Sequence, residues 1–136
     1  MQHHTHSPEE TRAVAREWAA TLDRGTVIRL HGDLGAGKTT FVQGLAEGLG
    51  CEIPPTSPTF SLLHEYPGKD LILQHWDLYR LSPATDWKQL DLTAQLPGEG
   101  ITVIEWPERY PGPWPAQTRT VTLVICGETG RNIVLV

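Results

Sequence analysis

Apolar residues recur at every fourth position at Val14, Trp18 and Leu22, which predicts one buried stripe on a helix ending near Gly25. Its start is written in Ser7-Pro8-Glu9-Glu10: Ser7 suits the cap, Pro8 the first helical position, and Glu10 completes a capping box. The unbroken run Thr26–His31 then predicts a short buried strand. Phe41, Val42, Leu45 and Leu49 predict a second helix over Thr39–Leu49, stopped by Gly50. Two further apolar runs, Phe60–Tyr66 and Leu71–Asp77, flank Pro67-Gly68-Lys69-Asp70 and predict an antiparallel hairpin. Trp87, Leu90 and Ala94 point to a helix over Thr85–Leu96. Ile101–Glu105 predicts a second buried strand, this one ending in an acid. A last hairpin, Thr118–Cys126 and Arg131–Val136, is expected around Gly127-Glu128-Thr129-Gly130. Proline sets the remaining segments, Pro54–Thr59 and Trp106–Gln117, as loops.

Composition narrows this picture. The 136 residues suffice for one domain with a core and are too few for two. A formal net charge of −5 argues against binding nucleic acid through the overall field, so any contact with RNA is expected to run through a partner protein. Cys51 and Cys126 have neither metal-ligand nor disulfide spacing and read as free thiols in a reducing compartment. The polar N-terminus lacks the apolar core of a secretion signal, and no apolar run is long enough to cross a membrane, so the expected location is the cytoplasm. Residues 1–6 are expected to form a flexible tail, because His3, His4 and His6 have no carboxylate or cysteine nearby with which to hold a metal.

The chemistry concentrates where the first strand meets the second helix. Gly32-Asp33-Leu34-Gly35-Ala36-Gly37-Lys38-Thr39 is a complete G-x-x-x-x-G-K-[ST] sequence, placed after a predicted strand and before a predicted helix. Its glycines let successive N–H groups turn inward onto phosphate oxygens, and the following helix adds its positive end. Lys38 is expected to reach the β and γ phosphates and the Thr39 hydroxyl to ligate Mg²⁺. The loop therefore predicts ATP and Mg²⁺ as ligands, bound by Asp33, Leu34, Gly35, Ala36, Gly37, Lys38, Thr39 and Thr40. Asp33 inside it must point away from the phosphates or meet the metal. The expected fold is a three-layer P-loop NTPase-like α/β domain whose two hairpins make the sheet mixed and partly antiparallel.

Hydrolysis also needs an acid on the metal side and a group to orient water. Glu105 ends a buried strand and is one candidate. Asp77, in His75-Trp76-Asp77-Leu78-Tyr79-Arg80, is the second, as a ligand of metal-bound water or as the group polarising the nucleophile. Thr56-Ser57-Pro58-Thr59 reads equally as a switch sensing the γ-phosphate or as a rigid connection. Trp106 belongs either beside the nucleotide or over the core. Arg80 can neutralise phosphate charge or pair at the surface, and the surface is favoured for Arg109.

Taken in order, Gly32–Phe41, Thr56-Ser57-Pro58-Thr59-Phe60, His75-x-Asp77-Leu78-Tyr79-Arg80-Leu81 and Ile104-Glu105-Trp106-Pro107-Glu108 closely resemble the TsaE (YjeE) family, across nearly the whole chain. That resemblance implies the ATPase component of bacterial tRNA threonylcarbamoyladenosine synthesis, working with the TsaD and TsaB proteins and resetting their complex between rounds. It implies metal-side roles for Thr39 and Glu105, a role in hydrolysis for Asp77, and a place for Thr11 near the base; the expected catalytic residues are Asp77, Glu105 and Lys38. The segment Ser82–Gly100 departs from the family by carrying fewer acids, with Trp87, Lys88 and Gln89 interrupting it. Slow hydrolysis alone, stimulated by partners, is the resulting expectation. A small-molecule kinase, which needs an acceptor pocket, and a non-catalytic nucleotide module are the competing readings. No N-K-x-D segment favours a GTPase.

Overall fold

The computed structural model describes residues 1–33, 35–52, 63–79, 96 and 98–136. Leu34, the Thr56–Thr59 segment, Arg80 and the helix expected over Thr85–Leu96 thus lie outside the described residues, except for Leu96 itself. Within them the elements run β1 (Gln2–Thr5), α1 (Pro8–Ala19), β2 (Val27–Gly32), α2 (Lys38–Gly48), β3 (Leu63–Pro67), β4 (Ile72–Asp77), β5 (Ile101–Glu105), a short 3₁₀ turn (Pro107–Arg109), β6 (Arg119–Cys126) and β7 (Gly130–Leu135).

All seven strands form one sheet in the order β1-β7-β6-β2-β5-β4-β3. Its centre is parallel: β2 pairs with β5 and β6, and β5 with β4. Its flanks are antiparallel, through the hairpins β3–β4 and β6–β7 and the pair β1–β7. This is the mixed α/β sheet that the two sequence hairpins imply. Parallel neighbours bring the carboxyl ends of β2, β5 and β4 to one edge, the place where open α/β sheets bind ligands.

The N-terminal tail expectation needs correction. Residues Gln2–Thr5 form an antiparallel strand on β7, from Gln2 opposite Val134 to Thr5 opposite Arg131. The Met1 ammonium donates to the Leu135 carbonyl at 2.9 Å. Ladder bonds to an otherwise open edge order this polar segment, without an apolar face of its own.

Helix α1 opens as its capping residues dictate. Ser7 Oγ accepts from the Glu10 N–H at 3.2 Å, and Glu10 Oε2 accepts from the His6 N–H at 3.2 Å. It closes earlier than Gly25: the Ala20 N–H turns to Glu17 and Trp18, and Thr21 Oγ1 donates to the Trp18 carbonyl at 2.7 Å. Leu22 still packs on the core from the turn beyond. Helices α1 and α2 meet along a seam of small residues, Ala15 and Ala19 against Gly44 and Gly48. A Cβ at Gly44 would lie 2.3 Å from the Arg12 carbonyl oxygen, so that contact demands glycine.

Both described helices cover the same sheet face, over Ile28, Leu30, Leu73, Val103, Val121 and Ile133. The opposite face buries Val27, Trp76 and Ile104 beneath Tyr110, with Trp106 and Trp114 packed against them. Among the described residues, the layer on that second face is made of loop aromatics.

Candidate functional site

The turn after β2 wraps because glycine allows it. Gly35 and Gly37 hold φ of 83° and 98°, a region that side chains disfavour. Gly32 is confined differently: a Cβ there would sit 3.2 Å from the Leu123 carbonyl and 3.3 Å from both Ala36 Cβ and Lys38 Cγ. Within the loop the Asp33 carbonyl accepts from the Ala36 N–H at 3.0 Å, while the Asp33 side chain is exposed. The first turn of α2 carries no side-chain cap and no acid, leaving it open to an anion.

A residue on the far side of the chain fixes the loop from behind. Arg131 of β7 donates to the carbonyls of Gly35 (3.0 Å) and Ala36 (3.2 Å), and to that of Gly130 (2.7 Å). Since a trans peptide points its C=O and N–H in opposite directions, turning the Ala36 carbonyl toward Arg131 aims the Gly37 N–H away from that guanidinium.

Across the sheet edge stand the acids. Glu105 lies beside Asp77 in the β4–β5 register and beside Leu30 in β2–β5. Glu105 is buried and hydrogen-bonded to His75, Nε2 to Oε2, at 2.5 Å; His75 is wholly buried. Asp77 accepts from the Tyr79 N–H at 3.0 Å. Burial pushes the Asp77 carboxyl above the ordinary aspartate range, the Tyr79 bond opposes this, and the nearby Glu105 charge reinforces it. Burial also drives the Lys38 ammonium below the ordinary lysine range, against the pull of Glu105 and Asp77.

Lys38 is itself buried, with Nζ 3.9 Å from the centre of the Trp106 ring. Tyr79 packs on that ring with centroids 4.9 Å apart. Trp106 is the one non-glycine residue with positive φ among the described residues, at 56°. That strained backbone is what lets the indole turn back over Lys38 at the end of β5. Behind it, His31 of β2 comes within 3.6 Å of Glu108 in the 3₁₀ turn.

Beside the loop opens a cavity of about 350 Å³ lined by Ser7, Pro8, Thr11, Gly35, Gly37, Thr40, Glu128, Thr129 and Arg131. The hydroxyls of Thr11 and Thr5 bond at 2.8 Å, which anchors the start of α1 to β1. The cavity thus runs from the loop glycines to the first turn of α1 and to the β6–β7 turn.

The structure therefore gathers Thr11, Gly35, Gly37 and Thr40 on one cavity, and Lys38, Asp77 and Glu105 at one sheet edge. Ala36 supplies its carbonyl to Arg131, and Thr39 stands in the first turn of α2 next to Lys38. Sequence reasoning gave no part to Arg131, Glu128, Thr129 or His75. The signal for His75 was its spacing of two from Asp77, which puts both on one face of β4. Arg131 offered none, since its contacts span 95 and 96 residues. Among the described residues no cluster of three or more His, Cys, Asp or Glu side chains is arranged around a metal position. Thr39, in the first turn of α2, and Glu105, at the end of β5, each carry hard oxygen donors. Such donors suit an ion such as Mg²⁺, which completes its shell with water and phosphate.

Comparisons with known proteins cover nearly the whole chain. A family model described as "Threonylcarbamoyl adenosine biosynthesis protein TsaE" matches residues 5–133. The chain is 39% identical over 129 residues to the tRNA threonylcarbamoyladenosine biosynthesis protein TsaE of Bacillus subtilis, covering 95% of this chain and 80% of that one. It is 44% identical over 112 residues to the protein of the same description from Treponema pallidum, covering 82% of each. The crystal structure of YdiB from Bacillus subtilis superposes with a TM-score of 0.80 at 34% identity, over 99% of this chain and 83% of that one.

Proposed function

This chain belongs to the TsaE family of threonylcarbamoyl adenosine biosynthesis proteins, and from that premise we propose that it is an ATPase that binds ATP with Mg²⁺ and hydrolyses it slowly. In this reading its hydrolysis serves the modification of tRNA next to the anticodon in a complex with TsaD and TsaB, in the cytoplasm. The observation that carries the reading is the convergence on one sheet edge of a buried lysine, an uncapped helix start and two carboxylates.

The triphosphate would lie along the amides at the start of α2, Gly37, Lys38 and Thr39, and Lys38, now against the Trp106 ring, would meet the β and γ phosphates. Thr39 and Glu105 would hold Mg²⁺, which when bound would neutralise charge on those phosphates. Asp77, one residue position across the ladder from Glu105, orients the attacking water. The cavity lined by Thr11, Thr40 and Thr129 beside the loop is the room available for the nucleoside in this reading. No helix among the described residues is long and apolar enough to cross a membrane, and the tRNA is reached through the partner proteins.

Phosphate release is the direct test. The isolated chain is expected to turn over slowly, and addition of TsaD and TsaB to raise the rate. Equal rates with and without the pair contradict the partner-dependent reading. A phosphorylated small molecule in place of free phosphate favours a kinase.

A further inference from the structure

His75 is an odd residue for its position. It is wholly buried, and the inward positions around it on β4 and β5, Leu73, Ile101 and Val103, are all apolar. Its Nε2 meets Glu105 Oε2 at 2.5 Å, while its Nδ1 has no hydrogen-bond partner among the described residues. A buried polar nitrogen left unpaired lowers stability, so packing alone explains a leucine here and not an imidazole.

We propose that His75 is a positioning residue for Glu105: its Nε2–H holds Oε2 and thereby presents Oε1 to the cation side of the site. The inference rests on the Mg²⁺·ATP reading above. The Glu105 carboxylate is an acceptor only, and two donors compete for it: the His75 ring and the Lys38 ammonium, whose strongest carboxylate neighbour is Glu105. Were Glu105 to pair with Lys38, one group would remove both the metal-side acid and the phosphate-side cation from service. A hydrogen bond from β4 keeps the two apart. Carboxylates that face a metal are commonly oriented by such an outer partner. His75 and Asp77 lie on the same face of β4, so one strand supplies both the holder of Glu105 and the second acid.

The test is calorimetric titration of the full chain with ADP, in Mg²⁺ and in EDTA, for the wild type, His75→Leu and His75→Gln. His75→Leu is expected to lose about tenfold of the tightening that Mg²⁺ gives, with affinity in EDTA held within about twofold. His75→Gln, whose amide still donates toward Glu105, is expected to recover most of it. Broadening of the Mn²⁺ electron paramagnetic resonance signal by the protein–ADP complex supplies a second readout and follows the same order. If the leucine variant does not fold, His75→Asn replaces it, because its shorter amide stops short of Glu105. The inference is overturned if the substituted protein keeps the whole Mg²⁺ increment, or if affinity falls equally in EDTA. A wild type with no Mg²⁺ increment overturns the underlying site reading as well.

Discussion

The sheet face beneath the helices and the edge where β2, β5 and β4 end obey opposite rules. Under α1 and α2 the buried side chains are apolar and the helices touch through Ala15, Ala19, Gly44 and Gly48. At that edge the buried groups are Lys38 from the start of α2, His75 of β4 and Glu105 of β5, the backbone of Trp106 just beyond β5 holds a positive φ, and His75 Nδ1 and Trp76 Nε1 lack partners among the described residues. The first region gains stability from every contact. The second carries desolvation and strain, which is the expected mark of a working site. Substitutions in the two regions should therefore separate stability from binding.

The largest effect belongs to the apolar region. Phe41→Ala, which empties a wholly buried ring position, should lower unfolding free energy by about 3–5 kcal/mol in chemical denaturation. Next, Lys38→Ala should weaken ATP binding by about 100-fold, roughly 2.7 kcal/mol by titration calorimetry, with no fall in melting temperature. A matching loss of stability would erase the contrast between the regions. Arg131→Ala should weaken ATP by about tenfold through a loosened nest, leaving both acids in place. An unchanged affinity would mean that the loop holds its shape without the guanidinium.

The smallest effect concerns pH. Burial raises the Asp77 pKa in the folded state above its value in the unfolded chain, so between those two values the folded protein binds more protons. Its contribution to stability is then fully present below the unfolded value and is lost as pH rises through the folded one. Asp77→Asn should consequently raise the melting temperature slightly near neutrality, with the gain vanishing in acid, while phosphate release falls and ATP binding persists. A variant less stable at neutral pH would show that the carboxylate is favourably paired there.

The same division explains what could be read in advance. Strands β2 and β5 are short runs of branched apolar residues, and the phosphate loop is a local backbone device, so both are legible within a dozen letters. The Glu105 position followed from strand β5 ending at the loop. Strand β1 was not legible, because Gln2-His3-His4-Thr5 has no apolar face and takes its form from the β7 edge. The end of α1 was misjudged because Leu22 continues the stripe after the backbone has left the helix. Arg131, the φ of Trp106 and the His75–Glu105 bond arise from chain segments far apart in sequence, or from a backbone angle that residue type does not announce.

In the proposed mechanism a triphosphate and Mg²⁺ share the ground between the loop and the β4–β5 acids. A crystal structure with Mg²⁺ and a non-hydrolysable ATP analogue tests it most directly. The expected result is phosphates on the amides of Gly37, Lys38 and Thr39, Lys38 Nζ withdrawn from the Trp106 ring onto them, and the metal between Thr39 and Glu105. A nucleotide seated elsewhere, with Lys38 still over Trp106, would contradict it.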